Sequence, residues 1–341
     1  MQIDLDSIGF LGAGLSRPEC VLAHASGMLL APDWTEPGGI ALIAPDGTVR
    51  RVLATRPDPG VDMPLRPNGI ALEPGGTVLV AHLGPERGGI YRLWPDGRCE
   101  VVTDSVDGRP MPPANFVARD RSGRLWITVS TTRVPRALDY RPDAATGFIA
   151  VHDAKGTRLL AEGLGYTNEC LLSADETVLW VNETFARRLT AFDIAGTAAS
   201  PRLTGRRTLA RFGLGTFPDG LSPAADGSLL VTSIVSNRVL RVSLGGVVET
   251  LIEDVERGHL AEVEAAFQAG TMGRPHLDTA RSRRLRNISN LAFGGPELRT
   301  AYLGCLLGDA IAHFESPVAG LAPPHWSAEL GPLGALAGVA A

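Results

Sequence analysis

Several features that mark common protein classes are missing from this sequence of 341 residues. It has no apolar run of about 20 residues, which a membrane-spanning helix needs. It also lacks a basic start followed by an apolar block, the pattern of a secretion signal. We therefore expect a cytoplasmic protein with no membrane partner. The formal net charge of −5 argues against a nucleic-acid partner, because phosphate binding needs a broad basic face.

Cysteine is scarce, and familiar catalytic motifs are lacking. The four cysteines, at positions 20, 99, 170 and 305, form no Cys-x-x-Cys pair of the kind that binds zinc. We interpret them as small buried thiols. No Gly-x-Ser-x-Gly elbow, His-Glu-x-x-His pair or phosphate loop occurs. None of these catalytic classes is therefore indicated.

Glycine and proline are plentiful, with 40 and 25 residues, as in proteins built from many short strands joined by tight turns. An oxygen-bearing side chain also recurs at the same place in six repeated segments. The six residues are Glu19, Asn68, Asn115, Asn168, Asp219 and Asn290, separated by 49, 47, 53, 51 and 71 residues. A period near fifty is typical of a propeller or a solenoid.

Each repeat contains short apolar runs separated by hairpin signals such as Asp-Gly and Gly-Gly. Four strands in each of six repeats predict an all-β, six-bladed propeller. We expect a single domain over residues 1–330, followed by a C-terminal tail over residues 331–341. Residues 1–14 are predicted to complete the last blade and close the ring.

The region 253–286 interrupts the repeat. It contains a segment with helical apolar spacing that ends at Gly270. We expect this insertion to form a short helical lid over the channel mouth between blades five and six. A surface embellishment without a role in the site is the alternative.

The six recurring residues begin the strands that line the channel, so their side chains should converge. Glu19, Asn115, Asn168 and Asp219 supply the mixture of carboxylate and amide oxygens that hard divalent cations prefer. Ca²⁺ is the expected ion, and Zn²⁺, Mn²⁺ or Mg²⁺ could also occupy the site. The alternative is that these residues cap turns, which Asn and Asp often do. Because six such residues occur at the same position of the repeat, we favour the metal site over turn capping.

The second strand of a blade returns to the same face, so residues fourteen or fifteen after each recurring position should form a second tier of the pocket. Candidates for the pocket wall are Trp34, His82 and Glu183, together with Asn290 from the first tier.

The segments Arg17-Pro-Glu, Pro113-Ala-Asn, Tyr166-Thr-Asn, Pro218-Asp-Gly and Ser289-Asn-Leu-Ala-Phe-Gly-Gly-Pro resemble those of one known family. It is the senescence marker protein 30, gluconolactonase and luciferin-regenerating enzyme family. The resemblance spans nearly the whole chain. It implies a six-bladed propeller with one divalent metal on its axis and, in many members, hydrolysis of lactones. It also implies that Glu19, Asn168 and Asp219 bind the metal.

In the same resemblance, Asn115 corresponds to a residue that contacts the substrate or the metal's water. We therefore expect a metal-dependent hydrolase of a lactone or related ester, with Asp219 as general base or, alternatively, as nucleophile. Asn115 would assist catalysis by contacting the substrate or the metal's water. A non-catalytic calcium-binding or ligand-binding propeller is a competing hypothesis. So is a hydrolase similar to diisopropylfluorophosphatase, whose four matching residues have the same order and spacing.

Two positions depart from the pattern of sugar-lactone members. Pro113 and Phe116 stand where those members commonly have Arg and Asp. This predicts a less polar pocket wall and a less hydroxylated or aromatic-bearing lactone or ester as the small-molecule partner. Glu169 follows Asn168 where many relatives have Gly, which puts a further carboxylate near the axis or in the blade. The oligomeric state is left open.

Overall fold

The structure is a computed structural model, and it describes residues 2–197 and 200–338. Within these residues, the strands form seven sheets, six of which are the blades of a propeller, and the four main strands of each blade are antiparallel. The chain begins with a short 3-10 helix, Leu5–Ser7, and β1 (Gly9–Leu11).

The first three blades follow in chain order. Blade one contains β2 (Leu22–Ala23), β3 (Leu29–Asp33), β4 (Gly39–Ile43) and β5 (Val49–Leu53). After β6 (Arg56–Pro57), blade two contains β7 (Pro67–Leu72), β8 (Val78–Leu83), β9 (Gly88–Leu93) and β10 (Arg98–Thr103). A small hairpin, β11 (Ser105–Val106) and β12 (Arg109–Pro110), precedes blade three, which contains β13 (Ala114–Arg119), β14 (Leu125–Val129), β15 (Gly147–Asp153) and β16 (Gly156–Leu164). A 3-10 helix, Arg136–Asp139, lies between β14 and β15.

The other three blades complete the ring. Blade four contains β17 (Thr167–Leu172), β18 (Val178–Glu183), β19 (Arg188–Thr197) and β20 (Ser200–Arg211). Blade five contains β21 (Phe217–Pro223), β22 (Leu229–Ile234), β23 (Arg238–Val242) and β24 (Val248–Glu253). The helices α1 (Arg257–Gln268) and α2 (Arg274–Leu277) follow, and then β25 (Ile288–Gly294), β26 (Thr300–Cys305), β27 (Ile311–Glu315) and α3 (Pro332–Ala337).

Tight turns join the strands within a blade, as the hairpin signals predicted. Between β21 and β22, Gly227 has φ of 85°, a conformation that favours glycine. The preceding Asp226 accepts a hydrogen bond from the backbone N–H of Ser228 at 2.9 Å. These local interactions fix the register of the two strands.

The first strand of the chain closes the ring. β1 pairs antiparallel with β27, with Gly9 opposite His313, so the sixth blade combines strands from both ends of the chain. This agrees with the prediction for residues 1–14. Closure of this kind leaves no blade with an incomplete edge.

An apolar layer lies between neighbouring blades, and together these layers form the core. Leu30 of blade one packs in a cluster with Ile70 of blade two. Ile311 of blade six packs in a cluster with Ala31 of blade one. Because both faces of most blades are covered, the central strands are buried throughout, as in β3 and β8.

The C-terminal segment packs against the body instead of extending from it. Leu330, Leu333 and Ala337 are buried in the same cluster as strands of blades one and two. The predicted tail, residues 331–341, therefore includes side chains that pack against the propeller. Residues 339–341 lie outside the described part of the chain. Within that part, no helix is long and apolar enough to cross a membrane.

Candidate active site at one end of the channel

Five of the six recurring residues stand where the inner strands are irregular, and the sixth, Glu19, lies just before β2. In β7, β13, β17, β21 and β25, the pairing with the next strand shifts register at or beside the recurring residue. A bulge of this kind re-aims the side chain locally and is common beside functional sites. The repeated irregularity explains how neighbouring blades direct polar side chains toward the axis.

Four of these residues meet in one cleft of about 360 Å³. They are Glu19, Asn115, Asn168 and Asp219, the four residues predicted to bind a metal. Two of the residues that precede them have backbone conformations that are uncommon for residues with side chains. Arg17 has φ of 55° and Tyr166 has φ of 68°, and both side chains also line the cleft.

A buried polar atom in the cleft has no partner in the described part of the chain. Asn115 Oδ1 is buried and accepts no hydrogen bond from residues 2–197 or 200–338. The Asp219 side chain is buried and lines the same cleft. Asn168 Nδ2 donates to Thr184 Oγ1 at 3.2 Å, which orients the amide. Buried polar groups are normally satisfied, so Asn115 Oδ1 calls for an external partner.

The carboxylates of the cleft interact electrostatically. Burial raises the pKa of Asp219 well above its usual value, and the negative charges of Glu19 and Glu169 raise it further. Arg17 opposes this effect, and its Nε donates to Glu19 Oε2 at 2.7 Å. A positive charge bound between the carboxylates would remove most of this repulsion.

Buried side chains outside the cleft hold the backbone of these residues. Asn68 Nδ2 donates to the carbonyl of Asn115 at 2.9 Å. Asn182 Nδ2 donates to the carbonyls of Asp219 and Gly220, at 3.0 and 2.9 Å. The cleft is therefore built on a supported backbone, which is what a precise ligand set requires.

A divalent cation fits this donor set. The unpartnered Oδ1 of Asn115, the carboxylate of Asp219 and the amide of Asn168 are of the type that Ca²⁺ binds, and Glu19 adds a second carboxylate. No group of three or more His, Cys, Asp and Glu side chains in the described ranges is arranged to hold a metal. A site here therefore depends on the two asparagine amides, which suits calcium better than zinc.

The structure places Phe116 and Asn290 elsewhere. Both line a second and larger cavity, of about 1100 Å³, formed by later residues of the inner strands. Asn290 Oδ1 accepts from the Val21 N–H at 2.8 Å, and its Nδ2 donates to Glu169 Oε1 at 2.7 Å. Neither residue lines the cleft. The strand carries Asn115 and Phe116 to different cavities because consecutive residues of a strand point in different directions.

Glu169 accompanies Asn290 in the larger cavity. Burial raises the pKa of its carboxyl to about 8, and Glu19 contributes in the same direction. Hydrogen bonds from Asn290 and from the Leu221 N–H partly oppose the shift. The further carboxylate that the sequence left unplaced is therefore near the axis, behind the cleft.

The second strand of each blade brings the second-tier residues back to the predicted end of the blade. There they interact with other protein groups. His82 lies opposite Pro67, and Glu183 opposite Thr167. Glu183 forms an ion pair with Arg188 at 2.6 Å and is inaccessible.

The other two second-tier residues, His82 and Trp34, also form hydrogen bonds with protein groups. His82 Nδ1 accepts from the Arg66 N–H at 3.0 Å, and Trp34 Nε1 donates to the Pro67 carbonyl at 2.7 Å. The guanidinium of Arg17 lies 4.6 Å from the centre of the Trp34 ring. Trp34, His82 and Glu183 do not line the cleft, and each bonds to another protein group.

Several residues that line the cleft were missed in the sequence. Arg136 lies on the 3-10 helix before Tyr140, and Arg274 begins α2. These segments lie outside the repeat, so no periodic signal marked them. Arg17 and Tyr166 could have been found, because each stands two residues before a recurring position.

Comparison with solved structures gives the same fold at low sequence identity. A gluconolactonase from Xanthomonas campestris is 18% identical, with a TM-score of 0.64 over 91% of this chain and 89% of that one. A luciferin-regenerating enzyme is 18% identical, with a TM-score of 0.62 over 96% and 98%. A calcium-binding protein, regucalcin, from Agrobacterium tumefaciens is 13% identical, with a TM-score of 0.58 over 93% of each chain.

No curated protein gives a significant match to the sequence. The family model described as SMP-30/Gluconolactonase/LRE-like region matches residues 18–256, which is more than half of the chain. The resemblance inferred from the repeated segments is thereby confirmed. The chain belongs to the SMP-30/gluconolactonase/LRE-like family.

Proposed function

We propose that this protein is a hydrolase that opens a lactone or a related ester with the help of one divalent metal ion, Ca²⁺ first. Glu19, Asn115, Asn168 and Asp219 would hold the ion. The observation that carries the proposal is the convergence of these side chains in one cleft, with Asn115 Oδ1 buried and without a hydrogen-bond partner in the described residues. Family membership and the gluconolactonase among the structural neighbours support a lactonase.

The chemistry follows from the residues. When bound, the ion would polarise the substrate carbonyl and offset the charge that develops on its oxygen. Asp219 takes the proton of a water molecule as the water oxygen attacks the carbonyl carbon. The ring oxygen leaves and takes up a proton, so a lactone and water give a hydroxy acid. Asn115 orients the substrate or the water beside Asp219.

The first experiment combines metal removal with a substitution. Chelator-treated protein should lose lactone hydrolysis and regain it with Ca²⁺. Asp219→Asn should fold normally and lose at least about a hundredfold in kcat, the effect of removing one electrostatic group from an active site. Asp46→Asn, at an exposed turn, is the matched control and should retain full activity. Undiminished turnover by stripped protein would refute the metal-dependent mechanism.

The insertion after β24 would cover this cleft as a lid. Arg274 and Leu277 line the cleft, and Phe267 of α1 packs 5.3 Å from Phe217 and 5.8 Å from Phe185, measured between ring centres. An ion pair of 2.7 Å between Glu264 and Arg187 ties α1 to blade four.

Weakening this packing tests the lid. Phe267→Ala should raise KM several-fold and speed hydrogen exchange in α1, because a Phe→Ala change in a packed cluster costs about 3–5 kcal/mol. Steady-state kinetics and exchange measured by mass spectrometry give the two results. If hydrogen exchange in α1 becomes faster but KM is unchanged, α1 is a surface feature and not a lid.

A binding protein without catalysis is the second candidate, favoured by the calcium-binding neighbour. Tight Ca²⁺ binding without turnover of any lactone or ester would support it. Turnover of a phosphotriester in preference to lactones would instead support the phosphotriesterase hypothesis. The cytoplasmic location and the small-molecule partner stay predictions.

A further inference from the structure

Three arginines line the same cleft as the proposed metal ligands: Arg17, Arg136 and Arg274. Arg17 is paired with Glu19 at 2.7 Å, and Arg274 is paired with Asp278. Arg136 differs from both, because it forms no ion pair with any residue in the described ranges. Its Nη1 donates to the Tyr166 hydroxyl at 3.4 Å.

The charge of Arg136 is felt by its neighbours. Burial raises the pKa of the Tyr140 phenol, but the positive charges of Arg136 and Arg274 outweigh this and leave the pKa below its usual value. Burial disfavours the charge on Arg136 itself, yet Tyr166, Tyr140 and Glu19 outweigh burial and raise its pKa. Arg136 therefore keeps its positive charge at neutral pH, although it is half-buried.

The charges in the cleft do not balance when the metal is included. Three guanidinium groups are matched in number by the carboxylates of Glu19, Asp219 and Asp278, the last of which is the partner of Arg274. A divalent cation would add two further positive charges. A half-buried guanidinium without a carboxylate partner is costly unless a ligand pairs with it. Guanidinium groups bind carboxylate and phosphate strongly because their parallel N–H donors match two oxygens.

We propose that the substrate of this cleft carries an anionic group, a carboxylate or a phosphate, which Arg136 and Arg274 bind. The inference rests on the proposed function for the bond that is broken, and it adds the charge of the substrate. Tyr140, Tyr166 and Phe185 provide an aromatic wall beside the guanidinium groups, with ring centres 4.7 to 5.5 Å apart. The cleft thus selects by charge, a property that adds to the less hydroxylated or aromatic-bearing lactone or ester expected from Phe116.

Matched substrates test the proposal. Three γ-lactones that differ only in a methyl ester, a carboxylate or a phosphomonoester at one ring carbon are compared with Ca²⁺-loaded protein. The carboxylate or the phosphate form should have a kcat/KM at least about tenfold above the neutral form, as expected for one charge-assisted pair. Whichever of the two is preferred identifies the anion. Equal values for all three forms would overturn the proposal.

Substitutions assign the preference to residues. Arg136→Gln and Arg274→Gln should each reduce the anionic-to-neutral ratio about tenfold or more. Arg136→Lys keeps the charge but not the paired donors, and should restore part of the ratio. Arg283→Gln is the control, since this arginine is exposed and paired with Asp6. A ratio that is unchanged in both glutamine variants, with native circular dichroism, would also overturn the proposal.

A binding measurement separates this inference from the hydrolase. Chelator-treated protein is titrated calorimetrically with 2-hydroxyglutarate, the dicarboxylate that opening of the carboxylated lactone would give. Arginine-dependent binding without hydrolysis of any lactone would refute the hydrolase and support anion recognition. If the protein hydrolyses neutral lactones, does not bind 2-hydroxyglutarate and shows no preference for anionic lactones, the hydrolase is supported and anion recognition is refuted.

Discussion

At the scale of single residues, the buried polar side chains differ in whether protein groups satisfy their hydrogen bonds. Asn182 and Glu183 are adjacent and buried; both carboxylate oxygens of Glu183 bond to protein groups, whereas Asn182 donates through Nδ2 and its Oδ1 has no partner in the described residues. Asn115 and Asp219 are also buried, and Asn115 Oδ1 likewise has no hydrogen-bond partner in that part of the chain. Sequence position alone does not distinguish these cases, because all four are polar residues near a strand end.

His325 provides a test of pH dependence at this scale. Burial, aided by the charge of His24, lowers its pKa to about 4 from an ordinary value of 6.5. A depressed histidine stabilises the folded state above pH 6.5 relative to lower pH, and this contribution is lost as the pH falls towards 4. Between pH 7 and pH 4 the loss is at most about 3 kcal/mol.

The variant His325→Gln should therefore lose less stability on acidification than the wild type. Urea denaturation at pH 7 and pH 4.5 measures the difference. Similar acid sensitivity in the two proteins would show that His325 does not titrate as proposed.

At the scale of elements, the closing strand β1 connects the two ends of the chain. Ile8, just before it, is buried in the cluster between blades five and six, whereas Phe10 within it is 47% exposed. This contrast offers a matched pair of substitutions in one segment.

Ile8→Ala should destabilise the protein by about 2–5 kcal/mol, because it leaves a cavity where the ring closes. Phe10→Ala should cost less than about 1 kcal/mol, since little apolar surface is lost from the core. Chemical denaturation gives both values. Equal effects would mean that β1 is not held by its buried side.

At the scale of the whole molecule, the ring should unfold as one unit, because every blade shares an apolar layer with its neighbours. A Ca²⁺ ion that binds only the folded ring stabilises all of it. At a hundredfold excess of Ca²⁺ over its Kd, the gain is about 2.7 kcal/mol, which raises the midpoint of a chain of this size by about 4 °C.

Differential scanning calorimetry with and without chelator measures this shift. A single transition that moves with Ca²⁺ is the expected result. Two separate transitions would contradict a single domain, whereas an unmoved single transition would contradict the calcium site alone.

The repeat made the architecture readable from the sequence. The strands, their hairpin turns and the six recurring residues all depend on patterns within about fifteen neighbouring residues, and these patterns occur six times. The family resemblance added the four residues that the cleft brings together. Phe116 and the second-tier residues lie outside the lining of the cleft, because a residue's position along a strand does not account for bulges such as the one beside Asn115. Their role toward a substrate stays a prediction.

The sequence by itself thus determined a closed six-bladed ring and the polar residues at its centre, since periodic patterning fixes both locally. Only the tertiary structure decided which of the six meet in one cleft and which are used in hydrogen bonds. It also brought Arg136, Tyr140 and Arg274 to that cleft from segments outside the repeat. Such contacts between distant segments depend on how loops pack over the ring, and no local pattern encodes them.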